Sequence, residues 1–228
     1  MLNNEPCAKP LGAVLLVLQD GRPVYERSFG WADKESSRKM TPDALFRIAS
    51  QSKALTATAV MILMEEGKLL ITDPVSNYVP SFAKTSVVVK SEQGIEIVPA
   101  KRQITIRDVL THTAGISLEM IRRGGELEGV RIIAPNTAAL MTINAVGTLH
   151  SAGMPGGLGY SLAFETTEAF GGNGLSNAGA YGWGGAYGSV YRVDPIDKLT
   201  MIFMMQLMPN RTDLREKFPN LVYQALVR

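Results

Sequence analysis

Two side chains in this sequence have the types and the spacing to do chemistry together. Ser50 and Lys53 stand three residues apart at the head of "SQSKALTATAVMILMEE", residues 50–66. A serine hydroxyl is a nucleophile once a base removes its proton, and a neutral lysine amine can be that base. Residues at i and i+3 share one helix face, with Cβ atoms roughly 5–6 Å apart. A serine in the first turn also meets the positive end of the helix dipole, which favours developing negative charge. The demand on the lysine is large: a free ammonium at pH 7 lies roughly 4.6 kcal/mol from deprotonation. Burial beside apolar side chains can lower a lysine pKa by up to ~3–5 units. The bland alternative is a pair of polar residues decorating a helix start.

The spacing alone decides nothing, because Ser-x-x-Lys occurs three times: Ser36/Lys39, Ser50/Lys53 and Ser81/Lys84. The first and third lie in polar, loop-like surroundings. Only Ser50 opens a long apolar stretch, in which Leu55, Val60, Leu63 and Met64 fall near helical spacing and Gly67 supplies a stop. Apolar or small residues surround most of that stretch, which predicts a central, buried helix over about 50–66.

The elements that must position this helix lie on both sides of it. "AVLLVLQDGRPVYERSFGWAD" places two strand-like runs around Asp20-Gly21, a hairpin signal. Lys34 to Lys39 reads as a loop. Asp73-Pro74 reads as the start of a short helix, and "SVVVKSEQGIEIVPAKRQITI" as a surface hairpin around Gln93-Gly94 followed by an extended run. "TIRDVL" from Thr105 carries a capping-box-like Thr-x-x-Asp, and a further helix is expected from Pro135. The last third holds eight glycines between Gly171 and Gly188, then strand-like "KLTMIFMMQL" and a closing helix over 212–227. Strands at both ends with helices between predict a mixed α/β (α+β) fold, an antiparallel sheet assembled from both termini. The expected domains are a sheet domain of 1–45 and 120–228, and a region of 46–119 holding the serine helix and other helices.

Bulk properties exclude other classes. The chain has 228 residues, 46% hydrophobic and 19% charged, with 23 basic and 21 acidic residues and a net charge of +2. No basic block marks a nucleic-acid or lipid surface. One cysteine, Cys7, permits no internal disulfide. No His/Asp/Glu cluster has metal spacing, so neither a metal nor a cofactor is expected. No charged-then-apolar leader and no 18-residue apolar run is visible, so cytoplasmic localisation is the default expectation.

Several ordered blocks carry a resemblance. "LFRIASQSKALTATAVMILMEEGKLLITDPVSNYVP", "ITIRDVLTHTAGIS" and "GAYGWGGAYGSVYRVDP" resemble the serine-reactive β-lactamase and penicillin-binding-protein superfamily. Within it they are most similar to class C β-lactamases and family VIII carboxylesterases. The segments "LGAVLLVLQDGRPVYERSFGWAD" and "GGELEGVRIIAPNTAALMT" fit the same family. The resemblance implies that Ser50 is acylated, with Lys53 as proton acceptor or relay. It implies that Trp183-Gly184-Gly185 is the strand motif that reads Lys-Thr-Gly in β-lactamases and often begins with tryptophan in the esterases. The backbone N–H groups of Ser50 and Ala186 would then form the oxyanion hole. The glycines also have a reason of their own, since a strand without side chains lets a substrate lie against the backbone.

The sequence departs from that family in one respect. The third motif, Tyr-x-Asn or Tyr-Ser-x on a loop of the helical domain, is missing: none of the seven tyrosines is followed by asparagine two positions later. Tyr160-Ser161 in "GLGYSLAFE" matches a family strand instead. "THTAGIS" at 111–117 abuts "LEMIRRGGELEGVR" at 118–131, where the family carries a long helical region. Against the family pattern, the sequence is expected to lack much of the helical domain and the helix that usually precedes the first strand, either because the protein is shortened or because a stretch of it is not in this sequence.

These readings lead to a serine hydrolase forming an acyl-enzyme on Ser50, most consistent with a carboxylesterase on small esters. A tryptophan at 183 removes the cation that would hold a β-lactam carboxylate. The alternatives are a β-lactamase or D-amino-acid peptidase, and a non-catalytic remnant serving as a binding or structural module. Expected partners are a small ester or β-lactam substrate, with neither nucleic acid nor membrane; the oligomeric state is left open. His112 and His150 read as loop residues, for no Gly-x-Ser-x-Gly elbow accompanies them. Met201, Met204, Met205 and Met208 read as strand packing, and Arg122-Arg123 as a solvated helix end.

Overall fold

The protein is described by a computed structural model over residues 12–91, 94–114, 143–147 and 157–226. Cys7, Arg122-Arg123, His150, the helix expected from Pro135 and the junction at 117–118 lie outside the described residues. The chain divides into two compact units, Met1–Leu55 with Leu140–Arg228, and Thr56–Ala139.

The first unit begins with β1 (Gly12–Gln19), β2 (Arg22–Asp33) and the two-residue β3 (Arg38–Lys39). Asp20 and Gly21 turn the first hairpin with positive φ of 49° and 73°, as the Asp-Gly signal requires. The stretch read as a loop over 34–39 is a turn whose last two residues pair with β2. The second unit contains the hairpin β4 (Ser86–Ser91) and β5 (Gly94–Pro99). The chain then returns to the first unit as β6 (Leu158–Tyr160), β7 (Glu165–Thr167), β8 (Tyr181–Gly184), β9 (Val190–Asp194) and β10 (Leu199–Met205).

The eight strands of the first unit form one antiparallel sheet in the order β3-β2-β1-β10-β9-β8-β7-β6. The chain ends meet at its centre, where β1 pairs with β10 through Val17↔Met201 and Ala13↔Met205. This is the sheet from both termini that the strand distribution predicts. Alternation gives it two faces. On one face Ala13, Val17, Val190, Leu199, Met201, Phe203 and Met205 are buried. A helix covers them, α3 (Leu214–Gln224), whose Phe218 and Tyr223 enter the same cluster. Phe203 and Phe218 lie with ring centroids 5.5 Å apart. Burying a phenylalanine contributes roughly 1.5–3 kcal/mol, so Phe218 is a principal anchor of α3. Two of the methionines read as strand packing, Met201 and Met205, are fully buried in this core, whereas Met208 is exposed.

Asp194 ties the end of β9 to α3. Its carboxylate is fully buried and accepts from Tyr223 Oη (2.5 Å), Asn177 Nδ2 (3.0 Å) and the backbone N–H groups of Ile196 and Asp197 (2.9 and 3.2 Å). Burial pushes its pKa up, but these donors outweigh burial and hold it below the usual carboxylate range.

The helix α1 spans Ser52–Glu65 and follows a 3-10 turn at Ala49–Gln51. Its position matches the sequence reading; its burial does not. Only Ala57 and Met61 are buried, while Leu55 is 64% and Leu63 is 39% exposed. The apolar side chains that made the helix read as central are spread around its circumference, and the described residues cover only a narrow stripe of it. In the second unit, Pro74 leads into a short 3-10 helix at Val75–Asn77. The helix α2 (Ile106–Leu110) has the expected capping box. Thr105 Oγ1 accepts from the Asp108 N–H (3.2 Å), and the Asp108 carboxylate accepts from the Thr105 N–H (2.9 Å).

Candidate active site

The segment before α1 is held by three attachments, all within the first unit. The Arg47 N–H donates to Gln206 Oε1 at 3.0 Å, just beyond β10. The Arg47 guanidinium lies 5.9 Å above the Tyr187 ring, in the turn between β8 and β9. Ile48 packs its carbonyl against Gly185, where an added Cβ would stand 2.5 Å from Ile48 O. The chain then turns sharply: Ala49 has φ of +47°, a left-handed conformation that costs an L-residue roughly 1–2 kcal/mol. That turn places Ser50 in the 3-10 turn and aims the next residues into α1.

Lys53 Nζ donates to Ser50 Oγ at 2.9 Å. Both residues are half-buried. The i,i+3 geometry thus brings together the two groups that the sequence singles out, and no other Ser-x-x-Lys pair opens a helix. Among the described residues no tyrosine hydrogen-bonds to either of them.

The Trp183-Gly184-Gly185 stretch ends β8 beside this segment. Gly185 N–H donates to Ser189 O (2.8 Å) and Gly188 N–H to Gly185 O (3.0 Å), closing the turn to β9 without using the Ala186 N–H. The Trp183 indole packs edge-on against Tyr160, with centroids 5.2 Å apart. The glycines are also places where the chain approaches itself closely. A Cβ at Gly182 would stand 2.2 Å from Tyr191 O, and one at Gly184 would stand 2.8 Å from an Arg215 guanidinium nitrogen.

Five features escape sequence reasoning: the contact of Ile48 with Gly185, the Gln206 attachment, the Tyr187 attachment, the strain at Ala49, and Arg215 against β8. None has a local signature. Arg215 reads as an ordinary charge in the first turn of a helix, and the others depend on which strands become neighbours. His112 sits at the end of α2 with φ of +58° in the second unit, in keeping with a loop residue.

The beta-lactamase family model matches residues 8–130, more than half of the chain. The chain belongs to the beta-lactamase family. It is similar to the esterase EstB of Burkholderia gladioli, at 34% identity over 117 residues, which covers 51% of this chain and 27% of that protein. It is similar to the human mitochondrial serine beta-lactamase-like protein LACTB, at 36% identity over 105 residues, covering 46% and 17% of the two chains. The chain thus spans about a quarter or less of the length of these relatives in sequence. In fold it is similar to EstCE1, described as a hydrolase with promiscuous acyltransferase activity. That likeness has a TM-score of 0.72 at 17% identity and covers 92% of this chain and 93% of the other. The β-lactamase-like fold, with its antiparallel sheet from both chain ends, is therefore that of this family of serine hydrolases, esterases and penicillin-binding proteins.

Proposed function

We propose that this protein is a serine hydrolase that cleaves small carboxylic esters through an acyl-enzyme on Ser50. The observation that carries the reading is the 2.9 Å contact between Lys53 Nζ and Ser50 Oγ at the head of α1. In the proposed reaction the neutral amine of Lys53 takes the hydroxyl proton as Ser50 Oγ bonds to the ester carbonyl carbon. The carbonyl oxygen becomes an oxyanion, received by the backbone N–H groups of Ser50 and Ala186. One such donor is worth about 2.7–4 kcal/mol of transition-state stabilisation. The bond to the alcohol then breaks and the alcohol leaves with the proton. Water repeats the sequence on the acyl-Ser50 ester and releases the carboxylic acid.

Trp183 at the head of the glycine strand brings no cation to the substrate, which favours neutral esters over β-lactams. Similarity to an esterase over half of this chain supports the same choice. A second reading is a non-catalytic remnant of the fold, favoured by the exposure of Leu55 and Leu63 on α1 and by the lack, among the described residues, of a tyrosine bonded to the pair. Hydrolysis of p-nitrophenyl acetate and butyrate by the purified chain separates the two. The proposal expects turnover that Ser50→Ala abolishes. Turnover that survives Ser50→Ala, or a folded protein with none, supports the remnant.

A further inference from the structure

A cavity of about 260 Å³ lies in the first unit between α3 and strands β6 to β9. It is on the opposite face of β8 from the serine segment. Successive residues at the end of a strand point to opposite faces. The Cβ position of Gly185 faces Ile48 O, and that of Gly184 faces Arg215, which lines the cavity.

Two guanidinium groups border this space. Arg192, on β9, is 94% buried by its relative exposure of 6%, yet its Nε and one terminal nitrogen have no hydrogen-bond partner. Its ion pair to Glu165 is long, at 3.4 Å, and that carboxylate oxygen also accepts from Asn173 Nδ2 at 3.0 Å. A buried cation so weakly compensated leaves positive potential around it, because low-dielectric surroundings screen it poorly. Arg215 Nε pairs with Glu216, a carboxylate 59% exposed at the mouth, while its terminal nitrogen lies against Gly184. The remaining walls include apolar Leu158, Val190 and Pro219.

We propose that this back-face cavity binds a small monocarboxylic acid, its carboxylate directed to the arginines and its alkyl chain against Leu158 and Val190. Planar carboxylates pair with guanidinium groups in charge-assisted hydrogen bonds roughly twice as strong as neutral ones. The volume lies below the ~300–1,000 Å³ of pockets for drug-sized ligands, which sets the size of the acid at a short chain. Glu165 and Glu216 bring the formal charge of the lining to zero, so a dianion such as phosphate is disfavoured relative to a monoanion. This binding is independent of whether Ser50 is acylated.

The test is titration of the full chain with sodium butyrate, against butyramide and inorganic phosphate, at matched ionic strength by calorimetry. The proposal expects saturable binding of one butyrate per chain, weakened at least tenfold in Arg215→Gln and unchanged within twofold in Ser50→Ala. Arg192→Met, checked for folding by circular dichroism, is expected to lose binding; if it does not fold, Arg215→Gln decides. Butyramide or phosphate binding as tightly as butyrate, or an unaltered affinity in Arg215→Gln, would overturn the proposal. So would loss of binding in Ser50→Ala, which would locate the acid at the serine instead.

Discussion

The carbonyl oxygen of Ile48 occupies the space where a side chain on Gly185 would begin, 2.5 Å from the Cβ position. This contact joins the segment that delivers Ser50 to the strand whose following turn carries Ala186. The two backbone N–H groups proposed to receive an oxyanion are therefore set by one close approach of two chain segments. Their separation is a property of packing rather than of either segment alone.

Gly185→Ala tests that relationship. The methyl group would collide with Ile48 O and with the buried Ser189 Oγ, 2.6 Å away. Overpacking of this kind costs typically 1–3 kcal/mol. We expect a lower melting temperature and an ester kcat reduced at least tenfold, since the two donors move apart. Thermal denaturation and steady-state kinetics read both effects. A variant with wild-type kcat would show that the contact does not set the site.

Ala49 tests the strain before Ser50. Its φ of +47° suits glycine and is an outlier for a β-branched residue. Ala49→Val is expected to lose about 1–2 kcal/mol in urea denaturation. Ala49→Gly is expected to stay within about 1 kcal/mol of wild type, as relief of strain offsets the added freedom of the unfolded chain.

Asp194 gives a pH dependence. Its folded-state pKa lies below the unfolded value near 3.9, because Tyr223, Asp197 and Asn177 donate to the carboxylate and outweigh its burial. The resulting stability is complete above the unfolded pKa and is lost as pH falls through the folded value. Asp194→Asn removes it and is expected to cost about 1–3 kcal/mol at pH 7. Urea midpoints from pH 7 to pH 2.5 should converge for the two proteins at the acid end; parallel curves would contradict this role.

Much of this architecture is written locally. Asp20-Gly21 specifies its hairpin, Thr105 and Asp108 their capping box, and the alternation Leu199 to Met205 a strand with one buried face. The Ser50–Lys53 contact follows from i,i+3 spacing on a helix start. What sequence could not supply is the environment of those elements. An apolar composition made α1 read as buried, but burial depends on what the rest of the chain places around it, and Leu55 remains open to solvent. The glycines at the end of β8 read as a strand against which a substrate could lie. Which atoms approach, Ile48 O and the Arg215 guanidinium, is decided by the sheet order and by where α3 docks.

The base role proposed for Lys53 has a direct consequence for truncation. Lys53→Met keeps the stem length and removes the amine that contacts Ser50 Oγ. General-base removal typically costs 10²–10⁴-fold in rate. We expect a folded protein whose ester hydrolysis falls by at least about 100-fold, measured with p-nitrophenyl butyrate, with little change in melting temperature.

The central claim is that the Ser50 hydroxyl is activated by the amine 2.9 Å away. The most direct measurement is the rate at which a fluorophosphonate labels the folded protein, with the adduct located by peptide mass spectrometry. The account predicts one adduct on Ser50, formed at least about 100-fold more slowly in Lys53→Met. A folded wild-type chain that stays unlabelled, or labelling of Ser50 at the same rate in both proteins, would contradict it.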